Sequence, residues 1–396
     1  MTKATIPKIL TIGIGALIVS ASAQAADTVH SSSTTGTVNW TAATWSPAVS
    51  DWTTTAGDVA RYTGSTATTY TLDTDVTVGA VRDSAGGNGF TLLTDGTHVL
   101  NLDATGLSST NQPFANAGVA AIAQANGNAS ASRVFTVGST TTGVTVNMLT
   151  DLNVGITSGT GSAFIMYGTI NNTSASAKTL TFLENSSSGS SGAPQLTINS
   201  AIGGSGSALA IINAGSSANA TVTRGVTTLA GVLGSNVTTV TENSSSSALT
   251  LSGSNSYTGG TTVTLGLLTV TSTGSLGTGN VSLADTTGVT LTLQNNNAIA
   301  DSAILNFGAN SVINLNGTAG TSETVYGLYD VTTGTSIAAG TYTAAALNSA
   351  FGVTSFASTN GETVTVVTAV PEPGTYALVM GGMGLLTVWQ RRRRLA

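Results

Sequence analysis

An all-β body is the fold class that the sequence predicts, and three observations carry it. Short β-branched runs recur along the chain, each closed by Gly, Asn or Ser: Tyr70–Val78, Val144–Leu149, Leu180–Phe182, Gln195–Ile198, Val289–Leu293, Ile304–Phe307 and Val312–Leu315. Within them apolar residues alternate with Thr or Asn, the period of two that marks a half-buried strand. No proline lies between Pro194 and Pro371, so every backbone N–H of that interval can join a ladder. Only 7% of the residues are charged, far below the roughly 25% of an ordinary globular domain. Outward threonine, a good strand former, takes the place of charge. Strands follow one another at about 10 to 20 residues, which leaves a sandwich, a barrel and a solenoid open. Helical patterning in the body is confined to one short stretch, Thr343 to Leu347.

Taken from the N-terminus, residues 1–25 read as a cleavable signal peptide. Lys3 and Lys8 form a positive leader, Ile9 to Ala21 an apolar run, and Ala23-Gln24-Ala25 a small-x-small cleavage site, so the mature chain starts at Ala26. Residues 26–246 follow as the first part of the body, opened by Trp40, Trp45 and Trp52 with Gly57-Asp58. Clustered tryptophans at one end fit a cap over exposed core; carbohydrate stacking is the alternative.

Residues 247–283 hold the one repeat unit. It contains Leu249-Thr-Leu251, Gly253-Ser-Asn255-Ser-Tyr257-Thr-Gly259-Gly260-Thr261 and Leu267-Leu-Thr-Val270, with Gly274 to Gly279 trailing. This pattern resembles the autotransporter-associated β-strand repeat. Fainter echoes occur at Ile202–Gly206 and Leu229-Ala-Gly231. The resemblance selects the solenoid and implies a right-handed parallel β-helix, in which each rung stacks on the next. Gly259 and Gly260 are expected to supply positive φ at a corner, Asn255 to bond its own backbone in the turn, and Tyr257 to cover the corner with its hydroxyl in water. The opening tryptophans also resemble the segment that precedes such repeats. No alternating apolar barrel strands follow the unit, so an outer-membrane pore is not expected. Residues 284–369 continue the rungs and close them: Gly340 to Asn348 with Phe351-Gly352 resembles a common closing segment, and Glu362 to Val366 makes a last strand.

Residues 370–396 read VPEPGTYALVMGGMGLLTVWQRRRRLA. Pro371-Glu372-Pro373 is a stiff non-helical breaker, Thr375 to Trp389 an uncharged apolar run, and Arg391, Arg392, Arg393 and Arg394 a basic block. As a helix the apolar run reaches roughly 22 Å, enough for one transmembrane helix with some bilayer thinning. The arginines stay cytoplasmic by the positive-inside rule, which places the body across the membrane. This order of breaker, membrane helix and basic tail resembles the PEP-CTERM sorting signal of Gram-negative bacteria. The resemblance implies recognition of Pro371, Glu372 and Pro373 by an exosortase and cleavage nearby. It further implies the inner membrane as a transient partner, then the cell surface or matrix, with extracellular polysaccharide as a candidate partner.

The remaining inventory narrows the chemistry. Between Ala26 and Ala369 lie 5 basic and 16 acidic residues, a net charge of −11, which argues against nucleic acid as partner. The chain has no cysteine, which excludes disulfides, zinc–thiolate and iron–sulfur sites. No cofactor or metal is expected: Gly86 to Thr91 and Gly203 to Ala208 begin like a calcium-binding repeat but lack its aspartate. Of the two histidines, His30 sits in a Ser-rich leader and His98 in a strand-like run, Thr97 to Leu102, without triad spacing. Asp73 and Asp75, two apart on one strand and followed by Arg82 and Asp83, are the best enzymatic candidate, since glycoside hydrolysis needs paired carboxylates. The leading expectation is therefore a non-enzymatic structural or adhesive protein. The alternatives are a polysaccharide-active β-helix enzyme and a carbohydrate-binding module built on the tryptophans.

Overall fold

The computed structural model describes residues 27–84, 89–111, 113–114, 116–125, 133–157, 162–184, 195–203, 206–215 and 225–368. The expected signal peptide (1–25) and the expected sorting signal with its membrane helix (370–396) lie outside them. Among the described residues no helix is long and apolar enough to cross a membrane.

The described chain is mostly β, and nearly all of it belongs to one large parallel sheet. The pairings fall into three columns of strands that the chain visits in turn, a winding compatible with a solenoid. A threonine face stacks Gly36–Asn39, Thr68–Leu72, Phe90–Thr94, Val134–Val137, Ala163–Met166, Gln195–Ile198 and Gly225–Leu229. It continues through 247–251, 267–270, Thr290–Leu293, Val312–Leu315 and Phe356–Ser358. A middle face stacks Val29–Ser32, Thr55–Tyr62, 80–83, Ala120–Gln124, Leu152–Ile156, Lys178–Glu184 and Leu209–Asn213. Residues 237–242, 260–263, Val281–Leu283, Ile304–Phe307 and Gly327–Asp330 complete it. An asparagine face is shorter: 76–78, Leu100–Leu102, Val144–Met148, Gly168–Asn172 and Ala201–Ile202.

Period-two alternation explains both sides of each face. On the threonine face the inward register column runs Phe90, Phe135, Phe164, Leu196, Thr227, Leu249, Leu268, Leu291 and Ile313, all buried. Its first three rings pack at centroid distances of 5.3 and 5.1 Å, the usual range for aromatic pairs. The outward column one residue along reads Thr37, Thr69, Thr91, Thr136, Ile165, Thr197, Thr228, Thr250, Thr269 and Thr292. Asparagine makes the equivalent column on its own face, where Asn147 Nδ2 donates to Asn101 Oδ1 at 2.9 Å.

The rung shortens beyond Val240. Leu152 pairs with Leu180, 28 residues on, Leu180 with Ile211, 31 on, and Ile211 with Val240, 29 on. From Val240 to Thr261 the step is 21, and from Thr261 to Val281 it is 20. The asparagine face ends here: Ile202 bridges Leu233, and beyond it a corner replaces the strand. That corner is the Asn255–Gly260 turn, and it works differently from the sequence expectation. Asn255 does not close its own turn. Its Oδ1 accepts the Leu233 N–H at 2.9 Å and its Nδ2 donates to the Ser275 carbonyl at 2.6 Å, tying three successive rungs. Tyr257 is fully buried, and its hydroxyl meets Thr261 Oγ1 at 2.6 Å instead of water. Neither Gly259 nor Gly260 has positive φ. Space decides instead: a Cβ on Gly259 would overlap the Thr238 carbonyl, and one on Gly260 would meet the Asn280 carbonyl at 3.0 Å.

Both ends are covered. Trp40, Trp45 and Trp52 are 0%, 8% and 4% exposed and pack on one another and on Tyr70 at 4.9–6.2 Å. At the other end the helix Ala344–Phe351 starts at Thr343, whose Oγ1 accepts the Ala346 N–H, and stops at Gly352 with φ of 69°. Beside it Ser322–Val325, Thr363–Val366 and Gly340–Thr343 form a separate three-stranded sheet. The short helix and the last strand match the sequence expectation.

Gly259→Ala should therefore lower the thermal midpoint by several degrees, since the added methyl must push a neighbouring rung aside, a strain of about 1–3 kcal/mol. Thr269→Val on the outward column should shift stability by no more than about 0.5 kcal/mol. Thermal unfolding followed by circular dichroism checks both; equal midpoints for the two variants would refute close packing at the turn.

Candidate functional site

The sequence pointed to carboxylates at Asp73 and Asp75, and the structure places both in the corner between Thr68–Leu72 and Val76–Asp83, not on a strand. The reason is that each carboxylate accepts backbone N–H groups where the chain turns. Asp73 accepts the Thr41 N–H at 3.0 Å and the Thr41 hydroxyl. Asp75 accepts the Val99 N–H at 3.1 Å and faces His98 Nδ1 at 3.3 Å. His98 lies just before the strand Leu100–Leu102, with its other ring nitrogen 3.6 Å from Asp95. Hydrogen bonds from the Thr97 backbone and hydroxyl hold Asp95 down at about 2. Arg82 points outward and Asp83 is buried inward, so these four candidates do not converge.

His30 also departs from its expected place in a leader. It sits on the strand Val29–Ser32, 7% exposed. Nδ1 is 2.8 Å from the Pro47 carbonyl and Nε2 3.0 Å from Asp58 Oδ2. The ring stands edge-on to Trp52 at 5.7 Å, which makes it part of the end cap. The three tryptophans offer no stacking face for a sugar, because their rings are spent on one another. The trough beside the terminal helix, about 420 Å³, includes one carboxylate, Glu362. That group already accepts the Ser358 hydroxyl at 2.5 Å and the Asn360 N–H at 2.9 Å.

Sequence reasoning missed a chain of buried polar groups where the middle face turns into the threonine face. Glu184 and Asn213 occupy inward positions at their strand ends and Glu242 the position before the register shift in Val237–Leu251, and all are at most 2% exposed. Glu184 Oε1 accepts the Leu196 N–H at 3.1 Å. Thr227, the polar member of the inward column, donates to Asn213 Oδ1 at 2.9 Å. Asn213 Nδ2 donates to Glu242 Oε2 at 2.7 Å and to Ser247 Oγ at 3.0 Å. Glu242 Oε1 accepts the Ser244 N–H at 2.9 Å, and the Ser244 hydroxyl donates to the Gly215 carbonyl. The signal was present: in Leu180-Thr-Phe-Leu-Glu184, Leu209-Ala-Ile-Ile-Asn213 and Val240-Thr-Glu242 a polar residue falls on the apolar beat. The chain ties rungs together and is closed to solvent, as an internal fastening is. Among the described residues no group of His, Cys, Asp and Glu could hold a metal ion.

Burial raises Glu184 to about 8, against two hydrogen bonds that lower it. Glu323 is raised to about 7 for the same reason, although its oxygens accept the Ala298 and Ile299 N–H groups. Both acids are protonated in the fold at a pH where the unfolded chain has ionised them, at 4.5. Their contribution to stability is thus full below about pH 4.5 and is lost as pH rises through about 7 to 8, by up to about 1.4 kcal/mol per unit and group. The protein should melt higher at about pH 5 than at about pH 8, and Glu184→Gln should reduce that difference by raising the alkaline midpoint. Thermal scans across pH check this; a midpoint that rises with pH would refute neutral buried acids.

The chain's sorting tail is supported independently of this geometry. The family described as the PEP-CTERM protein-sorting motif matches residues 369–394. That stretch includes Pro371, Glu372, Pro373 and Arg391, Arg392, Arg393 and Arg394, all outside the described residues. No curated protein and no solved structure matches the chain, and the likeness of residues 247–283 to the autotransporter-associated repeat stands on its residues alone. A PEP-CTERM motif implies export and sorting by an exosortase in Gram-negative bacteria, and this chain carries that motif at its C-terminal end.

Proposed function

We propose that the protein is a non-enzymatic structural or adhesive protein of the surface or exopolysaccharide matrix. Its body is a right-handed parallel β-helix running from residue 26 to 369, with the autotransporter-associated unit at 247–283. An N-terminal signal, residues 1–25, starts export, and residues 370–396 hold the body at the inner membrane until an exosortase cuts near Pro371-Glu372-Pro373. The sorting motif at 369–394 carries this reading. It begins three residues after the last strand, Thr363–Val366, so the body precedes the membrane element with no further domain between them.

The scaffold role draws support from where the polar groups go. Thr, Asn and Ser make cross-rung hydrogen bonds or outward columns, and the carboxylates described above accept backbone N–H groups at corners. Such a surface suits packing among hydrated polymers, since it is polar without being strongly charged.

Replacing Pro371, Glu372 and Pro373 together by alanine should leave the uncleaved protein in the inner-membrane fraction. Immunoblotting of fractionated cells reads this out, and normal processing of the variant would refute exosortase recognition.

A further inference from the structure

Of the five basic residues between Ala26 and Ala369, two stand side by side. Arg61 pairs in register with Arg82 on the middle face, and Ser31 precedes Arg61 in the same column. Both arginines occupy half-exposed, outward positions in strands whose flanking residues are buried. Neighbouring strands lie about 4.8 Å apart, so the two guanidinium stems leave the sheet one rung from each other. Arg61 Nε donates to Ser31 Oγ at 3.0 Å. Arg82 Nε is inaccessible to solvent and has no hydrogen-bond partner. Neither guanidinium forms an ion pair with a carboxylate among the described residues. Burial, and after it the like charge of Arg61, lowers the affinity of Arg82 for a proton.

Two like charges held one rung apart, in a body of net charge −11, repel unless something negative lies between them. A chain with so many acids could have placed one in this column and did not. We infer that Arg61, Arg82 and the Ser31 hydroxyl form a binding site for a single oxyanion, a carboxylate or sulfate group carried by an acidic polysaccharide. Guanidinium forks match the two oxygens of such a group, and two forks side by side can hold it from both flanks. The net negative body disfavours nucleic acid, whose closely spaced phosphates demand many cations. This site does not depend on the scaffold reading: an enzyme or an adhesin could carry it equally.

The test uses the full-length protein in affinity electrophoresis with three probes: polygalacturonate for carboxylate, dextran sulfate for sulfate, and neutral dextran. Retardation by polygalacturonate, by dextran sulfate or by both supports the site and assigns the oxyanion, and it should weaken as salt is raised. Arg61→Gln with Arg82→Gln should weaken retardation at least about tenfold. Lys178→Gln, which removes an exposed cation whose Nζ donates to Ser176 Oγ, should leave it within about twofold. Thermal unfolding of Arg82→Gln separates binding from folding: with the repulsion removed, its midpoint should equal or exceed that of the parent. If that variant does not fold, Arg61→Gln alone is read. Absence of retardation by both acidic probes, equal retardation by neutral dextran, or an undiminished effect in the arginine variants overturns the proposal.

Discussion

Parallel, in-register hydrogen bonding from rung to rung constrains every other choice in this molecule. Apart from two antiparallel pairs near the C-terminal end, each strand lies against another in the same direction and phase, so each side chain stacks on its register partner about 4.8 Å away. A residue is therefore selected as a member of a column. Phenylalanine over phenylalanine and leucine over leucine fill the interior without gaps, as Phe90, Phe135 and Phe164 show. Threonine over threonine and asparagine over asparagine suit the outside, because each can both donate and accept. Lysine over lysine or aspartate over aspartate would stack like charge on like charge. The scarcity of charge in the sequence is the direct consequence, and the Arg61–Arg82 pair stands out against it.

Columns also explain where the buried polar groups sit. At the corner between the middle and threonine faces, the backbone leaves one ladder before joining the next, and N–H groups such as those of Leu196 and Ser244 need an acceptor there. Glu184 and Glu242 supply it from inside the coil. Isolated from water, Glu184 favours the neutral form, which links the stability of the fold to pH. Asn255 performs the matching task at the opposite corner with a neutral amide, bonding the rung below and the rung above. It stands where the step between rungs falls from 29 residues to 21, and the tighter turn leaves no room for side chains at Gly259.

Strand positions were legible in the sequence because alternation is a local property: Gln195–Ile198, Ile304–Phe307 and Val312–Leu315 are strands in the structure with those bounds. Corners were not. What Tyr257, Asn255 and Gly259 do depends on residues some 20 positions away in neighbouring rungs, and no local rule reveals that Thr238 lies against Gly259. Asp73 and Asp75 misled for the same reason: the alternation of Tyr70–Val78 carries through a bend that Thr41 and Val99 hold from other rungs. His30 looked like leader because nothing near it in sequence hints at Asp58 and Trp52. The inward glutamates could have been found, since an acid on an apolar beat is visible without a structure.

Quasi-one-dimensional stacking also bears on how a body and a removable tail share one chain. Stability in a solenoid is a sum over neighbouring rungs, so what lies beyond the last rung contributes to none of the earlier interfaces. The small terminal sheet closes within the described residues: Thr363 N–H donates to the Thr321 carbonyl, Val367 N–H to Val325 and Thr368 N–H to Tyr326. These bonds complete the strand one residue before the sorting motif starts at 369. A cut at Pro371 to Pro373 therefore falls outside these ladder bonds. Proline at 371 and 373 has no backbone N–H that a ladder could use. The breaker that an exosortase would read is thus also a residue type that cannot donate to a ladder.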